Sequence, residues 1–289
     1  MMLYKLLSRM RKDRFENIIL TLKEKGGFSK DFESQNISVY NVGDMGSVLR
    51  VTALIKLLKI LRQINPDLIQ GWLSHGNLIV SLMSFFKPYR LSTLWNIRHT
   101  AFARGEIKHT TLLIIKLLSL LSFLPRKIIF NSKAGADDHY RMGYRRDKSC
   151  IIPNGFDMKL FMQSDKERRS IRSELNIPEE AMIIGLIGRF HPLKDHSSFL
   201  KAGAELLNNK RETYFLLAGR DVDWENRHLK HIIEKLGISE KVIMLGERRD
   251  IYRITAALDI ATCSSVAEGF PNVIGEAMSC GVPCVVTDV

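Results

Sequence analysis

Short apolar runs alternate with amphipathic stretches along almost the whole chain. Runs at 17–22, 37–42, 67–73, 92–97, 127–132 and 149–154 have the length and composition of strands, as do 182–188, 213–219, 241–246, 260–265 and 283–289. Between them apolar positions recur at helical spacing, clearest at 47–64, 195–209 and 227–237. The strand runs lack the alternation expected when one sheet face is wet. Strands of that kind, separated by helices, predict parallel sheets covered on both faces and hence an α/β fold.

One break stands out. The stretch IPNGFD, residues 152–157, holds Pro153 and an Asn154-Gly155 pair, which are turn residues. A polar, charged stretch at 163–180 follows before the strand pattern resumes. Two doubly wound domains are therefore expected, 1–151 and 152–289, with a cleft between them. In open α/β sheets ligands bind beyond the carboxyl ends of strands.

Charge sharpens this picture. Residues 1–150 carry 25 Lys+Arg against 11 Asp+Glu, a balance of +14; residues 151–289 carry 18 against 20, a balance of −2. The whole net charge of +12 thus lies in the first half. That half is drawn to a polyanion: nucleic acid, an anionic leaflet or a phosphorylated substrate. Nucleic acid is the weakest of these, because neither aromatic-basic RNA-binding motifs nor zinc-finger spacing is present. The most apolar run, 110–124, is interrupted by Lys116 and falls short of the ~20 residues of a spanning helix. It reads as a buried or membrane-facing helix. The N-terminus has basic residues threaded through it and no signal-peptide pattern. Cys150, Cys263, Cys280 and Cys284 form no CxxC pair, so no zinc site is expected and the thiols read as free, in a reducing cytosol.

The chemistry concentrates in EGFPNVIGEAMSCG, residues 268–281. Glu268 lies in a loop beyond a strand's carboxyl end. Pro271 suits the first turn of a helix that runs through Glu276, and Gly281 suits its C-terminal cap. The free N–H groups at the start of such a helix favour an anion such as a diphosphate. Gly269 lets a ligand approach the backbone, and the two carboxylates can accept hydrogen bonds from the hydroxyls of two sugar rings. A second loop, GRFHPLK at 188–194, places Arg189 and Lys194 after another strand, and both suit phosphate oxygens.

These stretches, with IPNGFD, LAGRD (217–221) and the region from MLGERRD to the C-terminus, resemble the donor domain of retaining glycosyltransferases of family 4, which have the GT-B fold. Glu268 and Glu276 match the family's E-x7-E signature. The first half resembles the family's acceptor domain through IQGWLSHGNL (69–78) and LWNIRHT (94–100). The resemblance implies two Rossmann-like domains and transfer of a sugar, with retention, from a nucleotide-diphosphate sugar to a lipid-linked or saccharide acceptor of envelope polysaccharide. It implies that Arg189 and Lys194 hold the diphosphate, that Glu276 takes the ribose hydroxyls and that Glu268 bonds the transferred sugar. Gly269, Phe270, Pro271 and Asn272 would shape the pocket, with Gly188, Asn154 and Gly219 completing the donor side. His75 is the better candidate for a histidine near the donor sugar, and His99 is the second. No metal and no cofactor are expected, since side-chain cations and a helix terminus serve the diphosphate. The basic first half and its apolar helix would dock on the inner face of the cytoplasmic membrane. The chain opens in an amphipathic helix where the family has a strand and Gly-rich turn first, and it closes on an apolar strand. A first strand and C-terminal helices are therefore expected to be missing, as in a fragment. A nucleotide-sugar epimerase of the same architecture and a non-catalytic remnant are the competing readings.

Overall fold

Each of the eleven apolar runs contains a strand in the computed structural model, which describes residues 2–22, 29–43, 51–85, 92–100, 109–207 and 212–289. The first elements are α1 (Met2–Leu7), β1 (Ile18–Thr21), α2 (Ser29–Glu33), β2 (Ser38–Asn41), α3 (Val51–Ile64), β3 (Leu68–Trp72), α4 (Leu73–Met83), β4 (Ser92–Ile97) and α5 (His109–Leu121). Then come β5 (Lys127–Phe130), α6 (Lys133–Arg141), β6 (Ser149–Ile151), α7 (Asp165–Glu174), β7 (Met182–Ile187), α8 (His196–Leu206) and β8 (Thr213–Ala218). The chain ends with α9 (Arg227–Lys235), β9 (Val242–Met244), α10 (Ile251–Ala257), β10 (Ile260–Cys263), α11 (Asn272–Ser279) and β11 (Cys284–Val286). Residues 47–50 and 208–209 of two expected helices lie outside the described residues. The charged stretch 163–180, expected only as a polar segment, holds α7. Ser164 caps it, accepting from the Glu167 N–H at 3.2 Å.

By contacts the chain forms two compact units. One comprises Met1–Ile97, Leu113–Ile129 and Gly143–Cys150; the other comprises Arg98–Leu112, Phe130–Met142 and Ile151–Val289.

The first unit contains a parallel pair, β1 with β2, and most of a sheet ordered β3-β4-β5-β6. Trp95 of β4 is wholly buried and meets Tyr144 edge-on at 6.3 Å, and the Tyr144 hydroxyl donates to the Ile115 carbonyl of α5 at 3.0 Å. Val42, Ala53, Leu57, Leu61 and Met83 form a second core under α3. The passage from β3 to α4 has no loop: Trp72 ends the strand, and Leu73 opens the helix at φ 62°.

The second unit holds a five-stranded sheet of order β11-β10-β7-β8-β9, with all pairs parallel. Successive residues of β8 serve opposite faces. Leu216 joins the core under α7, α10 and α11, while Phe215 and Leu217 join the one under α8 and α9. Both faces are covered, which explains why the run showed no alternation. Each of these side chains contributes about 1.5–3 kcal/mol by leaving water. The order steps one way from β7 to β8 and β9, and the other way to β10 and β11. The junction of β7 and β10 is therefore the switch point, beyond whose carboxyl ends ligands bind in such sheets.

The opposite end of the same two strands is clamped by Asp259. Its Oδ2 accepts from Arg172 Nη2 at 2.7 Å and from the Ile183 N–H at 2.7 Å, and its Oδ1 accepts from Arg168 Nη2 at 2.8 Å. Arg172 is 1% exposed and also donates to the carbonyls of Pro178, Glu179 and Ala181. Removing the carboxylate strands a buried guanidinium. Asp259→Ala is expected to lower the stability of the second unit by about 3 kcal/mol, read as a shift of the urea midpoint with unchanged slope.

Candidate functional site

The loops that leave β7 and β10 are stitched to each other. The Val266 N–H donates to the Leu193 carbonyl at 3.0 Å, and the Ser264 hydroxyl meets the Lys194 carbonyl at 2.8 Å. This brings Lys194 and Glu268 together: Lys194 Nζ donates to Glu268 Oε1, and the Ser265 hydroxyl donates to the same oxygen at 2.8 Å. Both side chains are only partly exposed, at 24% and 19%. A cation and an anion are thus held side by side beyond the switch point. Each is the other's charge partner, and both can be reached. Gly188 leaves room for the Lys194 stem, which lies 3.5 Å from where a Cβ would sit. Arg189 is exposed and, among the described residues, makes no ion pair.

Gly219, at the end of β8, sits at φ 155°, and a Cβ there would fall 2.2 Å from the Gly188 carbonyl oxygen. Only glycine permits this approach, which fixes the turn carrying Arg189.

From Glu268 the chain runs through Gly269 and Phe270 to α11. Pro271 is the N-cap, one residue earlier than expected. Its ring fixes φ at −73°, and its side chain caps nothing. Asn272 is therefore the first helical residue, and Glu276 lies one turn on, 8% exposed. Burial and the nearby Glu276 carboxylate push the Cys280 thiol up to about 11. Gly281, at φ 72°, closes the helix with the Val282 N–H donating to the Ala277 carbonyl at 3.0 Å. This is a Schellman cap, as the sequence suggested. Phe156 supports the turn, its ring 5.9 Å from Phe270. A Cβ on Gly275 would strike Phe156 at 2.2 Å.

Residues 98–99 pack on the same turn. A Cβ on Gly269 would lie 2.9 Å from the Arg98 carbonyl oxygen and 3.1 Å from the His99 Cα. His99 thus follows β4 into the second unit, with its ring 5.5 Å from that of His139. Desolvation, aided by His139, lowers the His99 pKa to about 4. The imidazole is neutral near pH 7 and suited to hydrogen bonding rather than to charge pairing. His75 is exposed near the start of α4 in the first unit, just beyond the carboxyl end of β3.

Sequence reasoning passed over Ser264 and Ser265, which bind the two loops together, and Arg98, Phe156 and His139. A serine pair directly after a strand and before an acidic loop was the one available signal. Among the described residues no three His, Cys, Asp or Glu side chains converge to hold a metal ion.

His196, the first residue of α8, is 2% exposed, and neither ring nitrogen makes a hydrogen bond of normal geometry. Desolvation lowers its pKa to about 4, opposed by the Gly188 backbone. The unfolded chain, with histidine near ~6.5, binds more protons below that pH, so stability is full above ~6.5 and is lost towards pH 4. Stability of the second unit is expected to fall with acid over this window, His196 contributing on the order of 2–3 kcal/mol. In urea titrations at pH 7.5 and 5.0, His196→Leu should reduce the dependence and leave the part owed to His99, whose pKa burial lowers in the same unit.

The family profile described as Glycosyltransferase Family 4 matches residues 1–160, and that described as Glycosyl transferases group 1 matches residues 167–289. N,N'-diacetylbacillosaminyl-diphospho-undecaprenol alpha-1,3-N-acetylgalactosaminyltransferase of Campylobacter jejuni is 27% identical over 240 residues, covering 80% of this chain and 61% of that protein. UDP-Gal:alpha-D-GlcNAc-diphosphoundecaprenol alpha-1,3-galactosyltransferase of Escherichia coli is 27% identical over 144 residues, 49% of this chain and 37% of that protein. The chain thus spans between 37% and 61% of the length of these curated relatives. Among solved structures, Anabaena HepE in complex with UDP-glucose matches at TM-score 0.83 and 24% identity, covering 100% of this chain and 76% of that one. WaaG, a glycosyltransferase involved in lipopolysaccharide biosynthesis, matches at 0.65 and 15% identity, covering 94% and 81%. At these identities the likeness to the structures concerns the fold.

Proposed function

Because the chain belongs to the group 1, family 4 glycosyltransferases and has their GT-B fold, we propose that it takes part in moving a sugar from a nucleotide-diphosphate sugar to a lipid-linked or saccharide acceptor, in the synthesis of envelope polysaccharide. The observation that carries this reading is the Lys194–Glu268 pair beyond the switch point, beside the amino end of α11. In it, the diphosphate is held by Lys194 and Arg189 together with the first N–H groups of α11. These charges take up the negative charge that grows on the leaving phosphate as the sugar–oxygen bond breaks, so no metal is needed. As Lys194 turns to phosphate, Glu268 is released to accept from hydroxyls of the transferred sugar. Glu276 accepts from the ribose hydroxyls. Attack comes from the face the diphosphate leaves, the departing phosphate taking the acceptor's proton, and the configuration is retained. Neutral His99, packed against Gly269, donates a hydrogen bond to the sugar.

UDP is the first nucleotide to test, since the C. jejuni and E. coli relatives act on diphospho-undecaprenol acceptors, the latter from UDP-Gal, and HepE binds UDP-glucose. A ligand at about 100 times its Kd adds roughly 2.7 kcal/mol. Thermal shifts with UDP, GDP, ADP and their common sugars should show one nucleotide stabilising the protein, with the effect lost in Glu276→Ala. Stabilisation that survives Glu276→Ala would remove that residue from the site.

The membrane part of the proposal rests on α5. Ile114, Ile115 and Leu118 are buried, while Leu113, Leu117 and Leu120 are 68%, 42% and 75% exposed, with Phe123 beyond the helix at 51%. Lys116 lies on the same exposed face, and Arg126 and Lys127 follow it. No helix among the described residues is long and apolar enough to cross a membrane. A leucine stripe with cations beside it suits the interface of an anionic bilayer at the inner face of the cytoplasmic membrane. Sedimentation with phosphatidylglycerol vesicles should carry the protein down, less so at high salt, and Leu117→Asp with Leu120→Asp should abolish this. Binding that ignores lipid charge, or a stripe buried in a dimer seen by light scattering, would contradict the assignment.

A further inference from the structure

Three segments distant in sequence meet at the amino end of α11. Arg98, just past β4, donates through Nη2 to Asn154 Oδ1. Asn154 Nδ2 donates to Asn272 Oδ1 at 2.6 Å. Asn272 opens a helix whose N-cap, Pro271, offers no side-chain acceptor.

The direction of this chain is dictated by its first member. A guanidinium has donors only. Asn154 must therefore turn its oxygen to Arg98 and its amino group to Asn272, and Asn272 must answer with its oxygen. What remains is the Asn272 amino group, partly exposed and without a hydrogen bond to protein among the described residues. Asn154 is buried and the Arg98 guanidinium is half-buried, so water competes little for either. Dipoles aligned in such surroundings reinforce one another. Desolvation lowers the Arg98 pKa, yet from so high a starting value the group stays charged at neutral pH. Its charge thus orients and polarises two amides, and the last of them presents an N–H donor beside the free N–H groups of the helix.

We propose that Arg98 is a positioning residue that, through Asn154, locks the Asn272 amide as a donor to the phosphate next to the transferred sugar. This rests on the donor-site reading above. The relay discriminates diphosphate from monophosphate, because only the distal phosphate reaches Asn272. Reversing any member turns the donor into an acceptor and sets an oxygen against the phosphate.

The test is calorimetric titration of the full chain with UDP, GDP and ADP and with their monophosphates. Arg98→Met should weaken the diphosphate that binds by about tenfold and leave its monophosphate unchanged, and Arg98→Lys should restore most of the loss. Asn154→Asp leaves Arg98 paired but cannot donate to Asn272. It should keep the wild-type melting temperature without ligand and still lose about tenfold towards the diphosphate. Equal loss of mono- and diphosphate, or wild-type diphosphate affinity in both Arg98→Met and Asn154→Asp, overturns the relay and leaves the donor site standing. A wild-type protein that binds none of the nucleotides overturns both.

Discussion

The second unit depends on keeping β7 and β10 side by side. These are the strands at which the winding of the sheet reverses, so the loops that follow them diverge to opposite faces and leave space between. At their amino ends one carboxylate, Asp259, is shared by two arginines and by the backbone of β7. At their carboxyl ends Ser264 and Val266 tie one loop to the other. Between these fastenings the register Ala261↔Gly185 and Thr262↔Leu186 cannot slip. A slip of one residue would invert every side chain beyond it. The closeness of Lys194 to Glu268 is the outcome of that register, and the two charges add little to it themselves.

Placing a lysine against a glutamate settles two demands at once. Each charge, partly withdrawn from water, would be costly alone, and together they are tolerated. The pair is also poised for exchange. A phosphate offers Lys194 a more highly charged partner, and sugar hydroxyls offer Glu268 donors in place of the ammonium. Ser265 stays on the carboxylate and keeps it oriented.

The strands and the E-x7-E segment were legible because their signals are local. Apolar runs such as 213–219 are unbroken since both sheet faces are covered, and Gly281 announces its helix end. The elements that were not legible fail for physical reasons. In α7 the buried face is little more than Ile171 and the stem of Arg172, too thin a stripe among charges to register as amphipathic. Pro271 lies one position before the first turn that its sequence context predicts, because proline suits both the first turn and the residue before it. The contact of Arg98 and His99 with Gly269 joins residues far apart in sequence, and no local pattern encodes it. His75 and His99 looked alike on paper, each following a strand. Only packing distinguishes them, since His99 is carried into the second unit.

The junction of β3 and α4 has a consequence for how such a chain can diversify. With Leu73 at φ 62° and no connecting residue, the rotational phase of the helix is set by the strand. One inserted residue would swing every α4 side chain by about 100° around the axis. Position 75 can therefore evolve by exchange of its side chain alone. The loop from Ser264 to Phe270 is held at Ser264 and Val266 by the loop after β7 and at Gly269 by the Arg98 backbone, so it too admits exchange of side chains more readily than insertion. Chains built this way drift towards new specificities by exchanging side chains on a fixed backbone, at position 75 and along this loop alike.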